Sequence, residues 1–136
     1  MPPFMRKQVL IVEDHQHLAA ALAAVVDDDP RFQTCGVARD VPEAIAMMPG
    51  ACPDLVTVDI GLPGGSGLDL IPVLREINPA ARYLVLSSEN PAAFASAARK
   101  AGAHGYLRKG ATPGKILEVA AAILDGGEHF PSAAEG

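Results

Sequence analysis

A chain of 136 residues, 49% of them hydrophobic, is long enough to close one domain around a continuous core. Its formal charge of −5 offers no basic footprint for nucleic acid, so no nucleic-acid contact by this chain itself is expected. The longest apolar run, residues 18–26, falls far short of the roughly 20 residues that span a bilayer, and the first residues lack the apolar segment of a signal peptide, so a cytoplasmic protein without membrane contact is expected.

The first strand is predicted at residues 8–12, where Val9-Leu10-Ile11-Val12 is apolar without alternation, as in a strand covered on both faces. Leu18, Leu22, Val25 and Val26 follow at helical spacing, and Asp27-Asp28-Asp29 before Pro30 reads as the solvated end of that helix, although its charge opposes the helix dipole. A second strand is expected over residues 32–38. The second helix is marked by Val41, Ala44, Ile45 and Met48 and opened by Asp40 with Glu43 as a capping box. The third strand, residues 55–59, runs into a loop over 60–67 that holds four glycines and a proline. Leu70, Leu74 and Ile77 mark the third helix, and the fourth strand covers 83–87. Asn90-Pro91 caps an Ala-rich fourth helix near 91–100 with little apolar mass. A short fifth strand at 105–107 leads through Thr112-Pro113 to a fifth helix carried by Ile116, Val119, Ala120 and Ile123. Residues 1–6 and 130–136 read as loose ends, and no internal repeat is visible.

Five β-α units in alternation predict an α/β protein with an open, doubly wound parallel sheet covered by helices on both faces. The chain is too short for an eight-unit barrel. Open sheets of this kind bind ligands at the carboxyl ends of their strands. Asp14, Asp59, Ser87, Tyr106 and Lys109 all fall where a strand pattern runs out, with Glu13 beside the first.

Glu13 and Asp14 close the first strand and Asp59 the third, and these two strands lie side by side in a doubly wound sheet. Three crowded carboxylates repel unless a cation joins them. Mg²⁺ is the natural occupant, since it takes hard oxygen ligands from one or two carboxylates together with phosphate oxygens. Asp59 could attack a phosphoryl group and hold it as an acyl phosphate. The glycine-rich loop after it lets the Gly61 carbonyl and nearby amides turn toward metal and phosphate. Ser87 could donate to a phosphoryl oxygen; Ser88 is its rival, but strand alternation admits only one of them. Lys109 supplies a point charge for the anion, with Arg108 facing away. His15 and His17 read as helix-start surface residues, because i,i+2 positions do not share a helix face. His104 and His129 carry no assignment. Cys35 and Cys52 have neither the number nor the spacing of a disulfide framework or metal site and read as reduced thiols.

The segments Val12-Glu13-Asp14-His15, 53–59 (Pro-Asp-Leu-Val-Thr-Val-Asp), 62–67 (Leu-Pro-Gly-Gly-Ser-Gly), Leu86-Ser87-Ser88 and 101–109 (Ala-Gly-Ala-His-Gly-Tyr-Leu-Arg-Lys) are, in this order and spacing, highly specific. In them the chain resembles a response-regulator receiver domain of two-component signalling, from about Gln8 to Gly127. Asp14-His15, the Tyr106 neighbourhood and the run 125–130 look most like the NarL/FixJ-type, LuxR-type helix-turn-helix subfamily. The resemblance implies a flavodoxin-like sheet of order 2-1-3-4-5 with five helices. It implies that Asp59 is the phosphoacceptor, served by the phosphohistidine of a sensor histidine kinase. Glu13, through water, Asp14, Asp59 and the Gly61 main-chain carbonyl would hold Mg²⁺. Ser87 and Lys109 would bind the phosphoryl group, and Tyr106 would turn inward as Ser87 moves. The output would be a population shift at the fourth helix, fifth strand and fifth helix, acting on transcription. The chain would then be no enzyme beyond its own phosphorylation and dephosphorylation, and it could pair as a homodimer.

The resemblance divides the chain into a tail at 1–7, a receiver at 8–127 and a tail or linker start at 128–136, with no helix-turn-helix domain within it. Two departures stand out. Gly110 follows Lys109 where many receivers have a cis proline, and positions 61 and 89, which tune phosphoryl lifetime in the family, are Gly and Glu. A haloacid-dehalogenase-type phosphohydrolase would need a second Asp at position 61, and a flavin binder a phosphate-cradling loop where Glu13-Asp14 stands. A stand-alone or pseudo-receiver interaction module is the other alternative.

Overall fold

A computed structural model describes residues 5–131 of the chain. The elements in chain order are β1 (Lys7–Val12), α1 (Gln16–Asp28), β2 (Phe32–Ala38), α2 (Val41–Ala51), β3 (Leu55–Val58), β4 (Gly61–Leu62), β5 (Gly65–Ser66), α3 (Gly67–Ile77), β6 (Arg82–Ser87), α4 (Pro91–Ala101), β7 (Gly105–Arg108) and α5 (Pro113–Leu124). Five strands form one parallel sheet in the order β2-β1-β3-β6-β7. Its labels depart from 2-1-3-4-5 because the loop after β3 contains a small antiparallel hairpin of its own, β4 against β5. Pro63 and Gly64 make its turn, with Gly64 at φ +87 as the third position of a type II turn requires. Counted alone, the five sheet strands keep the expected order.

Strand alternation explains how one aliphatic run serves two cores. On β1, Val9 and Ile11 face α1 and α5, where they meet Ala19, Val26, Val119, Ala120 and Ile123. Leu10 and Val12 face the other way, joining Val56, Val58, Tyr83 and Val85 against Ala44, Met48, Leu70, Ile71, Leu74 and Ala98 of α2, α3 and α4. A strand covered on both sides has no solvated face, which is why β1, β3 and β6 read as near-continuous Val, Leu and Ile, with Thr57 buried within β3. The pairing of β1 with β2 shifts between Val9 and Leu10, leaving Cys35 as the extra residue of a bulge.

The expected caps are present: Asp40, Asn90 and Thr112 each accept a backbone N–H in the first turn of α2, α4 and α5. Ser66 does the same for α3. Glu43 reaches back to the Arg39 N–H at 2.9 Å, one residue before the cap. Gly102, at φ +110, ends α4 in a conformation that favours glycine.

The apolar residues that mark α1 and α3 in the sequence are not all buried, and two other sequence expectations need correcting. Leu18 is 46% exposed and Ile77 38% exposed, because the buried faces of α1 and α3 run through Ala19 and Val26 and through Leu70, Ile71 and Leu74 instead. The acidic run ending α1 is not merely solvated. Asp27 accepts the Thr34 N–H at 2.6 Å, and Asp29 accepts from the amide and guanidinium of Arg31 at 2.8–3.0 Å, pinning the turn into β2. Phe130, expected in a loose end, packs on the α2–α4 core with the Arg99 guanidinium 4.3 Å over its ring. Just before it the chain runs alongside β7: Tyr106 N–H donates to His129 O (2.8 Å) and His129 N–H to His104 O (3.0 Å), while Arg99 pairs with Glu128 at 2.9 Å. Among the described residues, no helix is long and apolar enough to cross a membrane.

His104 carries a structural task. Its Nδ1 accepts the Tyr83 N–H at 3.0 Å, which only the unprotonated ring can do, and its ring stacks on Tyr83. Burial, followed by the charges of Arg82 and Arg75, lowers its pKa below the ordinary 6.5. In the unfolded chain the ring takes up its proton more readily, so this contribution is complete above about pH 6.5 and is lost as pH falls toward the folded value. Urea unfolding should therefore show stability declining below about pH 6.5, and His104→Asn, which keeps an acceptor without titrating, should flatten that decline. In the fully buried α3 contact, Ile71→Ala should cost about 2–5 kcal/mol in the same assay.

Candidate functional site

Backbone pairing continues one residue past the strands and fixes where the site side chains begin. The Glu13 N–H donates to Ala38 O (2.9 Å), the Asp59 N–H to Val12 O (3.1 Å) and the Lys109 N–H to Ser87 O (3.0 Å). Glu13 and Asp59 thus leave adjacent strands at the same sheet edge, and Lys109 leaves the end of β7. Its Nζ lies 2.8 Å from Glu13 Oε1 and 3.2 Å from Asp59 Oδ2, so one ammonium bridges two buried carboxylates. Gly67 packs directly against the Asp59 backbone. A Cβ there would overlap the Asp59 carbonyl, and the Gly67 N–H donates to Ile60 O at 2.8 Å.

The two carboxylates respond differently to this environment. For Asp59, burial and then the Glu13 charge push the pKa above 3.8, against opposing contributions from Lys109 and the Gly61 amide. For Glu13, burial acts upward too, but hydrogen bonds from Lys109 and His15 outweigh it and hold the group below 4.5. Burial of Lys109 is likewise outweighed by its two carboxylate partners, and its pKa rises above 10.5.

Asp14 is half-buried, and its Oδ1 is enclosed without a hydrogen-bond partner. That oxygen lies 3.3 Å from His15 Nδ1, which is engaged with Glu13 Oε2 at 3.0 Å. Ligand atoms of Glu13, Asp14, His15 and Asp59 all fall within 4.8 Å of one another. Three carboxylates against one ammonium, with an enclosed oxygen lacking a donor, make a cluster that suits a divalent cation.

Of the two serines, Ser87 is the buried one and Ser88 is exposed. The Ser87 hydroxyl accepts the Glu89 N–H at 3.0 Å. Tyr106 is fully buried, and its hydroxyl donates to Glu89 O at 2.9 Å, so serine and tyrosine meet at the same short segment. Gly61 is exposed, and a side chain built on it would meet no atom within 4 Å. The Lys109–Gly110 bond is trans, since the described residues hold no cis peptide. Six of the seven residues expected at the site stand at the carboxyl edge of the sheet or in the loop that leaves it; Tyr106, expected where its strand runs out, lies inside β7 opposite Val85 and meets the site through its hydroxyl. Sequence reasoning left out His15. Its position directly after two carboxylates was the available signal, but only the turn into α1 folds its ring back over them.

A sheet of this order with an acidic cluster at its carboxyl edge is a doubly wound α/β fold with a strand-end site, and comparison with known proteins gives the family. The response regulator receiver domain family matches residues 9–121, and the chain belongs to that family. The DNA-binding transcriptional activator DevR/DosR of Mycobacterium tuberculosis is 35% identical over 120 residues, covering 88% of this chain and 54% of that protein. The crystal structure of a two-component response regulator of the LuxR family from Aurantimonas sp. SI85-9A1 superposes with a TM-score of 0.88 at 29% identity, over 96% of this chain and 94% of that one. A Burkholderia pseudomallei response regulator, crystallised with a phosphorylated aspartic acid, calcium ion and citrate, gives a TM-score of 0.74 at 33% identity, over 82% of this chain and 64% of that one. The relatives also include the nitrate/nitrite response regulator protein NarL of Escherichia coli, 30% identical over 111 residues, covering 82% of this chain and 51% of that protein. The chain spans 61% and 54% of the lengths of the first two curated relatives it matches.

Two outcomes follow for the metal-free protein. An Asp59 pKa raised on folding means the ionised carboxylate opposes folding once pH exceeds the folded value; below about 3.8 both states are protonated and the effect vanishes. Asp59→Asn should accordingly raise the urea midpoint in EDTA at pH 7 and leave it nearly unchanged at pH 3.5. Lys109→Met, which leaves two buried carboxylates facing each other, should lower it.

Proposed function

We propose that this receiver domain is a Mg²⁺-dependent switch phosphorylated on Asp59 by the phosphohistidine of a sensor histidine kinase. The observation that carries this reading is a single arrangement: buried Asp59 at the end of β3, with Lys109 Nζ at 3.2 Å and two further carboxylates beside it. The phosphorylated aspartic acid of the Burkholderia pseudomallei regulator supports it by homology.

An Asp59 carboxylate oxygen attacks phosphorus, the bond from phosphorus to the donor imidazole nitrogen breaks, and the departing imidazole takes up a proton. Glu13, Asp14, Asp59 and the Gly61 carbonyl would hold Mg²⁺, Glu13 through water. Bound there, Mg²⁺ neutralises charge on the entering phosphoryl oxygens. Lys109, already bridging Glu13 and Asp59, turns its ammonium to a phosphoryl oxygen, and the Ser87 hydroxyl donates to another. Drawing Ser87 toward the phosphoryl group alters its hold on the Glu89 amide, and Tyr106, bonded to the Glu89 carbonyl, registers the change. This biases the α4–β7–α5 surface, and the effect passes to an output attached in longer relatives, which is transcription through a helix-turn-helix domain. The reading places the protein in the cytoplasm, gives it no enzymatic role beyond its own phosphorylation and dephosphorylation, and takes residues 8–127 as the receiver unit. The chain could pair as a homodimer.

Intact mass after incubation with Mg²⁺ and a small-molecule phosphodonor should rise by one acid-stable, base-labile phosphoryl group, absent in Asp59→Asn; a folded protein that gains none would overturn the proposal. The open space at Gly61 leaves the acyl phosphate accessible to water. Gly61→Arg or Gly61→Met should therefore lengthen the phosphoryl lifetime without loss of stability. Gly67→Ala, which pushes on the Asp59 carbonyl, should lower both stability and the phosphorylation rate.

A further inference from the structure

His15 is the one member of the cation cluster that an all-oxygen Mg²⁺ site does not use. It is the N-cap of α1, yet its side chain makes no capping bond, whereas Asp40, Ser66, Asn90 and Thr112 all cap their helices. The ring instead folds back over the strand end, with Nδ1 3.0 Å from Glu13 Oε2 and 3.3 Å from Asp14 Oδ1. The backbone holds the same turn, since the His15 N–H donates to Glu13 Oε2 at 3.1 Å.

The 3.0 Å contact is a hydrogen bond here, and its length is also that between neighbouring ligands on one ion. With metal–ligand distances of about 2.1 Å, two ligands at right angles stand about 3.0 Å apart and two opposite ligands about 4.2 Å apart. His15 Nδ1 lies at the first spacing from two carboxylate oxygens, and the whole set of four ligand atoms fits within 4.8 Å, about half an ångström wider than one ion requires. Asp14 supplies one oxygen to this set, and its Oδ1 is enclosed and without a hydrogen-bond partner. The imidazole is solvent-accessible, so it can exchange its contact with Glu13 for a metal without disturbing the core.

We propose that His15 is a direct nitrogen ligand in this site and that it shifts the receiver's metal preference from Mg²⁺ toward imidazole-binding divalent ions such as Mn²⁺ and Ni²⁺. The inference rests on the cation-site reading above and adds a residue and a ligand class to it. The physical reason is ligand type: imidazole suits first-row transition ions, while Mg²⁺ takes oxygen donors and keeps its waters. Any nitrogen- and oxygen-containing site favours Ni²⁺ over Mg²⁺ to some degree, so the informative quantity is the change in that ratio when the imidazole is removed.

The test uses the purified chain and the metals alone. Mn²⁺ is titrated by electron paramagnetic resonance, pulsed spectra are read for ¹⁴N modulation from a ligating imidazole, and Ni²⁺ and Mg²⁺ affinities are measured by calorimetry. Wild type, His15→Gln and His17→Gln are compared. We expect ¹⁴N modulation in wild type and His17→Gln and none in His15→Gln. We also expect the Ni²⁺-to-Mg²⁺ affinity ratio to fall in His15→Gln by at least the roughly tenfold that loss of even an outer-shell partner brings, with Mg²⁺ affinity changed less than about twofold. Mn²⁺ bound without ¹⁴N modulation, or modulation that survives in His15→Gln, would overturn the role of His15 and leave the cation site standing. A folded wild type that binds neither Mn²⁺ nor Mg²⁺ would overturn both.

Discussion

Two carboxylates buried at the ends of adjacent strands, and the single ammonium that spans them, set the terms for the rest of this structure. Glu13 and Asp59 come from β1 and β3, and the charge that makes their burial tolerable arrives on Lys109 from β7, two strands beyond β3. No local segment can assemble this group. It exists only when β1, β3, β6 and β7 are all in register, so the sheet order is also the order of the site. Burial acts against charge at all three residues; hydrogen bonds outweigh it at Glu13 and Lys109, whereas at Asp59 burial and the Glu13 charge prevail. The result is an edge held short of electrostatic balance, the condition in which an entering cation or phosphoryl group has most effect. Sites of this kind set activity against stability.

The two faces of the sheet divide the labour. The α1 and α5 side is aliphatic and alanine-rich. The α2–α4 side carries Tyr83 and Tyr106, and on it lies a continuous line of contacts from the site to the end of the described chain. Ser87 meets the Glu89 amide, Tyr106 meets the Glu89 carbonyl, and the Tyr106 amide meets His129. Arg99 of α4 then holds Glu128 and Phe130. The fully buried residues of α4 are the small Pro91, Ala95 and Ala98, with the partly buried Phe94 packed beside them. These contacts form a packed route from the strand ends toward the segment that follows α5.

Element type and order were legible because both faces of the sheet are covered. Val9-Leu10-Ile11-Val12 and its counterparts have no polar alternation to obscure them, and Asp40, Asn90 and Thr112 announce their helices by a chemistry that acts within four residues. The hairpin β4–β5 was harder to see, since two-residue strands leave no periodicity. Helix faces were legible only in part: Leu18 and Leu22 share a stripe, but which side of α1 meets the sheet depends on how α5 packs beside it. The acid run 27–29 seemed idle because its partners, Thr34 and Arg31, are recruited only when β2 folds back.

The sequence by itself determined the strand-end chemistry: three carboxylates, a hydroxyl and an ammonium, each following an apolar run, whose types and spacing need no coordinates to be recognised. Tertiary structure alone decided which groups meet. It turned Ser87 inward and Ser88 outward, gave His104 a backbone partner, tied His129 to β7 and folded the His15 ring onto the acidic edge. The reason is range. Alternation, capping and burial preference act over a few residues and are written in local order, whereas hydrogen bonds and charge contacts depend on distances of about 3 Å between groups that may lie a hundred residues apart, and only the packed sheet fixes those.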